Sequence, residues 1–416
     1  MKVKFLTLGC KVNQYETQAL REKFQMLGVR PTKTKADLCV VNTCTVTARA
    51  DLKSRDIILR AKRENPHAKI AVCGCLVQLN HDFINNLGVD YIIPQDKKHL
   101  LPEIVLGSAP ERLVKSAGDV WSLKITHFSN QRAFVKVQDG CDKFCSYCKI
   151  PYLRGPSRSR DKQDIIAEVK RISFFHKEIV LCGANLGLYG KDLKSPQSLD
   201  NLTEDILSIP SLGRLRLSSL EPLFASNRLF SLLKSDKLCP HFHFPFQYGD
   251  DRILEKMNKL ETVSLYEEKV FRVREINPDI AISCDVMVGF PYEDDGTFKN
   301  TVEFLNRIKP MRIHIFTFSP REKTVFEGLK VKNKKDIKCR YNFLRRLADN
   351  LSFQYKEKFL GKVLNMVAET QRDRVISGYT QNYIKVYIKD NVTLGEVIPV
   401  RIERIVKGKA YARAVK

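Results

Sequence analysis

The chain has 416 residues, 43 % of them apolar, with 71 Lys and Arg against 47 Asp and Glu for a formal charge of +24. It is too long for one ordinary core and too apolar for a disordered chain, so two or three folded domains are expected, and the basic balance points to a polyanionic partner, RNA or DNA. No apolar run approaches the roughly 18 residues of a membrane span, the N-terminus reads as a strand, and twelve cysteines without a secretory leader argue against disulfides and for a reducing cytoplasm.

Residues 1–110 alternate apolar runs with amphipathic stretches. Strands are expected at Val3 to Leu8, Leu38 to Val41, Ile70 to Cys73 and Tyr91 to Ile93, with a helix over Ala48 to Glu64. The pattern is that of a doubly wound parallel α/β sheet, whose ligands gather at the carboxyl ends of the strands. A cysteine follows each of the first three strands: Cys10 after Gly9, Cys44 after Thr43, and Cys75 after Gly74. Parallel strands of one sheet bring such loops together, so these thiols are candidates for a shared iron-sulfur cluster; the spacing alone leaves buried packing thiols as the alternative. Cys39 lies inside an apolar strand. Of Cys73 and Cys75, the second is preferred because it lies beyond the strand.

After a polar connection around Lys115 to Gln131, six further strands are expected: Ala133 to Val137, Glu178 to Cys182, Leu215 to Ser218, His241 to Phe246, Ile280 to Val288 and Arg312 to Phe318. Six βα units over 127–355 imply a partial (β/α)6 barrel with its chemistry at the C-terminal mouth of the strands. The first of these strands runs into Asp139-Gly140-Cys141-Asp142-Lys143-Phe144-Cys145-Ser146-Tyr147-Cys148. Three thiolates spaced in this way suit three corners of a [4Fe-4S] cube. Ferredoxins use a tighter run with a fourth Cys, and zinc ribbons need two Cys-x2-Cys pairs. The fourth iron is left without a protein ligand, open to a small chelating molecule. Cys182, Cys239, Cys284 and Cys339 have no partner at ligand spacing and are read as structural.

A basic helix over Lys330 to Tyr355 leads into 356–416, where short β-type runs at Val363 to Ala368, Arg374 to Gly378, Ile384 to Ile388, Glu396 to Ile405 and Ala410 to Ala414 predict a small five-stranded β-barrel. This tail carries 13 Lys and Arg against 6 Asp and Glu. With Tyr379, Tyr383, Tyr387 and Tyr411 interleaved, it suits a phosphate backbone and stacked bases, with tyrosines of the barrel core or rim as the alternative for any of the four.

These segments together resemble the radical S-adenosylmethionine (SAM) methylthiotransferases over nearly the whole chain. The matching residues are Leu8 to Thr17, Val41 to Cys44, Gly74 to Gln78, the triplet through Gly155, Arg216 to Pro222, Asp285 to Pro291 and Ser319 to Glu322; the terminal barrel resembles the TRAM domain. The opening Leu8-Gly9-Cys10-Lys11-Val12-Asn13-Gln14-Tyr15-Glu16-Thr17 is most similar to the members acting on N6-threonylcarbamoyladenosine at position 37 of tRNA, beside the anticodon. Members acting on isopentenyladenosine tRNA or on a ribosomal-protein aspartate are the alternatives. Two departures from the family pattern are Gly155-Pro156-Ser157-Arg158-Ser159-Arg160, where a further charged residue is usual, and Gln247-Tyr248-Gly249, where Ser is usual.

The resemblance implies two [4Fe-4S] clusters, one on Cys141, Cys145 and Cys148 and one on Cys10, Cys44 and Cys75, and two uses of SAM. One SAM donates a methyl group to sulfur; the other is cleaved to a 5′-deoxyadenosyl radical that activates C2–H of the adenine. It further implies an external electron donor, a sulfur source and a tRNA anticodon stem-loop as partners. Tyr147, Gly183, Ser218 and Glu221 are expected near SAM, Tyr147 and Gly183 having loop packing and a plain turn as alternatives. Asn13 is expected at the modified base or as a helix cap. Arg154, Arg158 and Arg160 are expected on anticodon-stem phosphates, with solvated arginines as the alternative. A noncatalytic iron-sulfur RNA-binding protein is the competing reading of another class.

Overall fold

The computed structural model describes residues 1–108, 119–331 and 333–415; the connection expected from Lys115 lies partly outside them, as does the boundary at 110. Five parallel strands form the first sheet: β1 (Lys2–Thr7), β2 (Arg30–Pro31), β3 (Leu38–Thr43), β4 (Lys69–Gly74) and β5 (Tyr91–Ile92), in the order β2-β1-β3-β4-β5. Helix α1 (Lys11–Met26) buries Val12, Tyr15, Ala19, Leu20 and Phe24 against one face, and α2 (Ala48–Glu64) buries Ile58 and Ala61 against the other. Helix α2 starts where the sequence signals it: the Thr47 side chain accepts from Ala50 N at 3.1 Å, Asp51 stands in the first turn, and Lys62 and Arg63 in the last. The strand order reverses at β1 and β3. The loops carrying Cys10 and Cys44 therefore leave the sheet at its switch point, where an open α/β sheet forms its crevice.

The central strands are β6 (Arg132–Lys136), β9 (Glu178–Cys182), β10 (Arg214–Leu217), β11 (His241–Gln247), β12 (Ala281–Val288) and β13 (Arg312–Thr317). They form two three-stranded parallel sheets, joined by isolated bridges at Leu215 to Leu238 and Ser219 to His243. A short antiparallel ribbon of β7 (Gln138–Asp139) and β8 (Arg158–Ser159), which sequence reasoning missed, flanks the cysteine triplet. One continuous apolar core runs from Val3 and Phe24 of the first sheet to Leu344 and Leu351 of the helix Lys334–Glu357, so the first sheet packs tightly onto the barrel.

The chain ends in β14 (Val363–Arg372), β15 (Val375–Thr380), β16 (Lys385–Ile388), β17 (Val397–Val406) and β18 (Lys409–Ala414). Pairing runs β14-β15-β16-β18-β17 and returns to β14, closing the barrel around Met366, Val386, Val400 and Ile402.

This barrel docks on the strand-start end of the central one through a buried ion cluster. Glu178 accepts from Arg214 Nε at 2.6 Å and Arg216 Nε at 2.8 Å, while those arginines donate to the carbonyls of Asn365, Tyr379 and Thr380. Tyr383 stacks on His241 at 4.2 Å and on Tyr379 at 4.7 Å, with Arg216 and Arg132 over the two tyrosine rings. Tyr379 and Tyr383 thus take the packing alternative rather than standing free to stack on RNA bases. Tyr379 and Tyr383 fasten the barrel because desolvated guanidinium and aromatic faces attract one another. Tyr387 and Tyr411 pair at 5.8 Å under Lys385, Lys409 and Arg404.

Candidate metal centre and cavity

The triplet loop is shaped by two backbone requirements. Gly140 has φ +73°, and a Cβ there would lie 1.9 Å from Pro156 O, so only glycine fits beneath the loop. Phe144 has φ 46° and turns the chain between Cys141 and Cys145. The loop is then tied down by Cys141 N to Gly155 O at 3.1 Å, Ser146 N to Met257 O at 3.0 Å and Asn258 Nδ2 to Phe144 O at 3.1 Å.

Cys141, Cys145 and Cys148 line one wall of a cavity of about 290 Å³. Lys143, Tyr147, Asn185, Ser219 and Glu221 continue the polar wall; Pro245, Met287, Phe316 and Phe318 make the apolar one. Val46 and Thr47, just beyond Cys44, close the side nearest the first sheet together with Arg321. Arg321 Nη2 donates to Thr45 O at 2.9 Å and meets Asp51 Oδ2 at 2.5 Å, clamping that loop onto the barrel.

The donor set fits a soft metal centre. All twelve cysteines are free thiols. Burial pushes Cys145 up to about 11 and Cys148 up to about 12, so a bare thiolate is disfavoured there; a bound cation removes that cost, because a coordinating thiol is deprotonated outright. The Glu221 carboxylate is held below its ordinary range, burial opposing and Lys259 and Lys143 overcoming it; it accepts from Asn185 Nδ2 at 2.9 Å and Lys259 Nζ at 3.1 Å. Ser218 keeps a buried Oγ with no hydrogen-bond partner among the described residues. Tyr147 is packed under the triplet, burial raising its hydroxyl well above the ordinary value. Gly183 is needed bare for a different neighbour than expected: a Cβ there would meet Gln138 Oε1 at 2.8 Å and Cβ at 2.9 Å, so it serves packing against β7.

In the first sheet the structure brings Cys10, Cys44 and Cys75 to one place. A Cβ on Gly9 would lie 3.0 Å from Cys44 Cβ and 3.3 Å from its Sγ, and each of Cys10 and Cys75 is near enough to raise the Cys44 thiol, which burial mainly pushes up to about 12. Cys73 points instead into the apolar core, and Cys39 into the core on the other sheet face. Cys182, Cys239 and Cys284 are buried, whereas Cys339, expected to be structural, is exposed on its helix.

Three expectations for substrate contact are overturned by burial. Asn13 is 1 % exposed and does not cap α1; the N-cap position is held by Cys10, which makes no side-chain cap. Its Nδ2 holds Leu8 O at 2.8 Å and Thr43 O at 2.9 Å, bracing two cysteine loops. Arg154 is 4 % exposed and donates to Asn13 Oδ1 at 2.7 Å, Asp139 Oδ1 at 2.8 Å and Glu16 Oε1 at 3.0 Å. Arg160, 1 % exposed, is bound to Glu168, Asp164 and Tyr15. A guanidinium committed to buried carboxylates cannot also neutralise a phosphate at the surface. Arg158 is half-buried, with Nη2 on Arg154 O at 2.8 Å.

Arg154 belongs to a buried network that sequence reasoning did not find. Glu16 also meets Lys98 Nζ at 2.6 Å and Lys136 Nζ at 3.0 Å, and Lys136 reaches Asp139 at 2.7 Å. Among the described residues this sets three cations against two carboxylates, beside Cys75 and Cys10. A lysine inside the apolar run Ala133 to Val137 was its signal, since a buried Lys needs a partner. The Arg-Leu-Arg-Leu and His-Phe-His-Phe alternations of β10 and β11 likewise announced a polar barrel lumen.

Family profiles and relatives agree with this geometry. The profile described as "Uncharacterized protein family UPF0004" matches residues 2–93, and that of the radical SAM superfamily matches 135–305. The threonylcarbamoyladenosine tRNA methylthiotransferase MtaB of Bacillus subtilis (strain 168) is 33 % identical, covering 96 % of this chain and 93 % of its own. The enzyme of the same name from Aquifex aeolicus (strain VF5) is 36 % identical over 97 % of this chain and 100 % of its own. Among solved structures, the radical SAM methyltransferase TsrM of Kitasatospora setae superposes with a TM-score of 0.57 at 15 % identity, covering 76 % of this chain and 74 % of that one, a likeness of fold.

Proposed function

The chain belongs to the radical SAM methylthiotransferases of the threonylcarbamoyladenosine tRNA type, and from that premise we propose that it inserts a methylthio group at C2 of N6-threonylcarbamoyladenosine at position 37 of tRNA. One observation carries the reading: the thiols of Cys141, Cys145 and Cys148 line a cavity that Val46 and Thr47, of the loop just past Cys44, also line. Two cysteine triads thus serve one reaction space.

Cys141, Cys145 and Cys148 would hold one [4Fe-4S] cluster, and Cys10, Cys44 and Cys75 the other. Bound there, the clusters and SAM supply the one-electron cleavage that makes a 5′-deoxyadenosyl radical and the sulfur that receives a methyl group. The chain's own residues bind, orient and shield. Glu221, fixed by Asn185 and Lys259, and Ser219, which lines the same cavity, offer polar contacts to SAM beside the triplet. Pro245, Met287, Phe316 and Phe318 keep water from the radical. Asn13 and Arg154 hold the loops of the first triad in place.

Residues 1–110 would form the methylthiotransferase domain, 127–355 the radical SAM core, and 356–416 a TRAM-like domain that tracks the anticodon stem-loop. No helix among the described residues is long and apolar enough to cross a membrane; the tRNA partner and the free thiols support a cytoplasmic setting, where an external electron donor and a sulfur source are available. Anaerobic reconstitution should give about eight irons per chain, two four-iron clusters. Replacing Cys10, Cys44 and Cys75 with Ala should remove about half, as should replacing the triplet. Nucleoside mass spectrometry of tRNA treated with the reconstituted enzyme should show the methylthio form of threonylcarbamoyladenosine. Four irons in the intact protein, or RNA binding without 5′-deoxyadenosine release, would overturn the reading.

A further inference from the structure

Below the cysteines, the lumen holds a cluster that the chemistry above does not use. Asp285 of β12 lines the cavity, with Oδ2 3.2 Å from His243 Nε2 and Oδ1 3.2 Å from His314 Nδ1. Both nitrogens of His243 are engaged, because its Nδ1 lies 2.9 Å from Ser283 Oγ. His314 differs. Its Nε2 has no hydrogen-bond partner among the described residues, its side chain is 38 % exposed, and it shares the inward face of β13 with Phe316, which lines the cavity.

We propose that His314, oriented by Asp285, binds the carboxylate of the substrate's threonylcarbamoyl group and so selects that substituent over an uncharged one. This rests on the function proposed above. A carboxylate carried into a cavity walled by Met287, Phe316 and Phe318 needs a charged or hydrogen-bonding partner. Of the cations near the cysteine triplet, Lys259 and Lys143 share Glu221, Lys149 faces Glu322 and Arg321 is bound to Asp51, with Lys143 Nζ and Arg321 Nε making no hydrogen bond among the described residues. The lumen offers a further group. With Nδ1–H directed at Asp285, the ring of His314 is held in one orientation and Nε2 is the ring atom left to donate to an anion. The contact is non-covalent and transfers no electron or proton.

The test compares anticodon stem-loops carrying N6-threonylcarbamoyladenosine and its carboxamide analogue, with reconstituted full-length enzyme. Wild type should prefer the acid by about 10- to 100-fold in kcat/KM, the range of a charge-assisted hydrogen bond. In His314→Leu the acid-to-amide ratio should fall toward 1, whatever the absolute rates, and His314→Gln should restore part of it. Iron content and melting temperature check that each variant is folded and loaded. A purely structural role would slow both substrates equally and leave the ratio intact; that result overturns the proposal. So does a divalent ion: these three residues place ligand atoms within 4.8 Å of one another, and an acid preference that requires stoichiometric Mn²⁺ or Zn²⁺, retained by wild type and lost in His314→Leu, assigns the cluster to a metal instead. If wild type modifies neither stem-loop, the function proposed above fails and takes this inference with it. If it modifies the acid and His314→Leu keeps the preference, only the inference fails.

Discussion

Replacing Glu16 should harm this protein more than replacing Arg154, although the two are direct partners. Glu16 is 2 % exposed and faces Arg154, Lys98 and Lys136, with Asp139 as the second carboxylate of the network. Its carboxyl is held well below the ordinary range, because the pull of Arg154, Lys98 and Lys136 together exceeds the cost of burial. In Glu16→Gln the three cations are left with Asp139 alone, and Lys98 loses its charged partner. An uncompensated buried charge of that kind costs about 3–5 kcal/mol. In Arg154→Met, Lys98 still serves Glu16 and Lys136 still serves Asp139, so the cost falls to about 1–3 kcal/mol, that of buried acceptors short of a donor. The only tryptophan of the chain reports on this region directly, since Lys136 Nζ lies 5.1 Å from the centre of the Trp121 ring. Urea unfolding followed by its fluorescence should therefore rank wild type above Arg154→Met above Glu16→Gln. An Arg154→Met variant as unstable as Glu16→Gln would refute the charge-balance argument.

Gly140→Ala should fail to load the triplet, since the new Cβ meets Pro156 O at 1.9 Å; retention of the full iron content would show that the loop yields. The terminal barrel should come loose in acid. Glu178 is held well below its ordinary range, Arg214, Arg216 and Arg132 outweighing burial, so its contribution is complete above the unfolded carboxyl value of about 4.3 and is lost as pH falls below it. The difference in melting temperature between wild type and Glu178→Gln should accordingly shrink from about pH 5 downward, and a constant difference would contradict the assignment. Lys385→Ala with Lys409→Ala should weaken tRNA binding and lower the salt slope by about 2 if the face over Tyr387 and Tyr411 tracks phosphates; an unchanged slope places the RNA elsewhere.

Local pattern alone determined a good deal here. The helix Ala48–Glu64 was legible to the residue, because capping and periodicity are written within one turn of each end. The strand runs expected for the first sheet, the central strands and the terminal barrel fell within a residue or two of most observed ends, while the two-residue strands β2, β7 and β8 were missed; the spacing of Cys141, Cys145 and Cys148 pointed to its chemistry because a loop of eight residues confines three thiols to one neighbourhood. Cys75 was preferred to Cys73 because it lies beyond the strand, and in the structure Cys73 packs in the core while Cys75 stands past the end of β4.

Only the tertiary structure decided the fate of the charged and aromatic residues. Arg154 and Arg160 look like surface arginines from their neighbours, and they are interior because α1 brings Glu16 to the one and Tyr15 to the other from far away in sequence. Tyr379 and Tyr383 lie in a basic tail yet fasten it to His241, Arg132 and Arg216 of another barrel. Asn13, beside Cys10 in sequence, became a brace between loops. Asp285, His243 and His314 meet only when three adjacent strands fall into register. Apolar period and short-range spacing act within a few residues, and sequence displays them; the partner of a charge is settled by which distant elements share a low-dielectric interior, and that is a property of the folded chain.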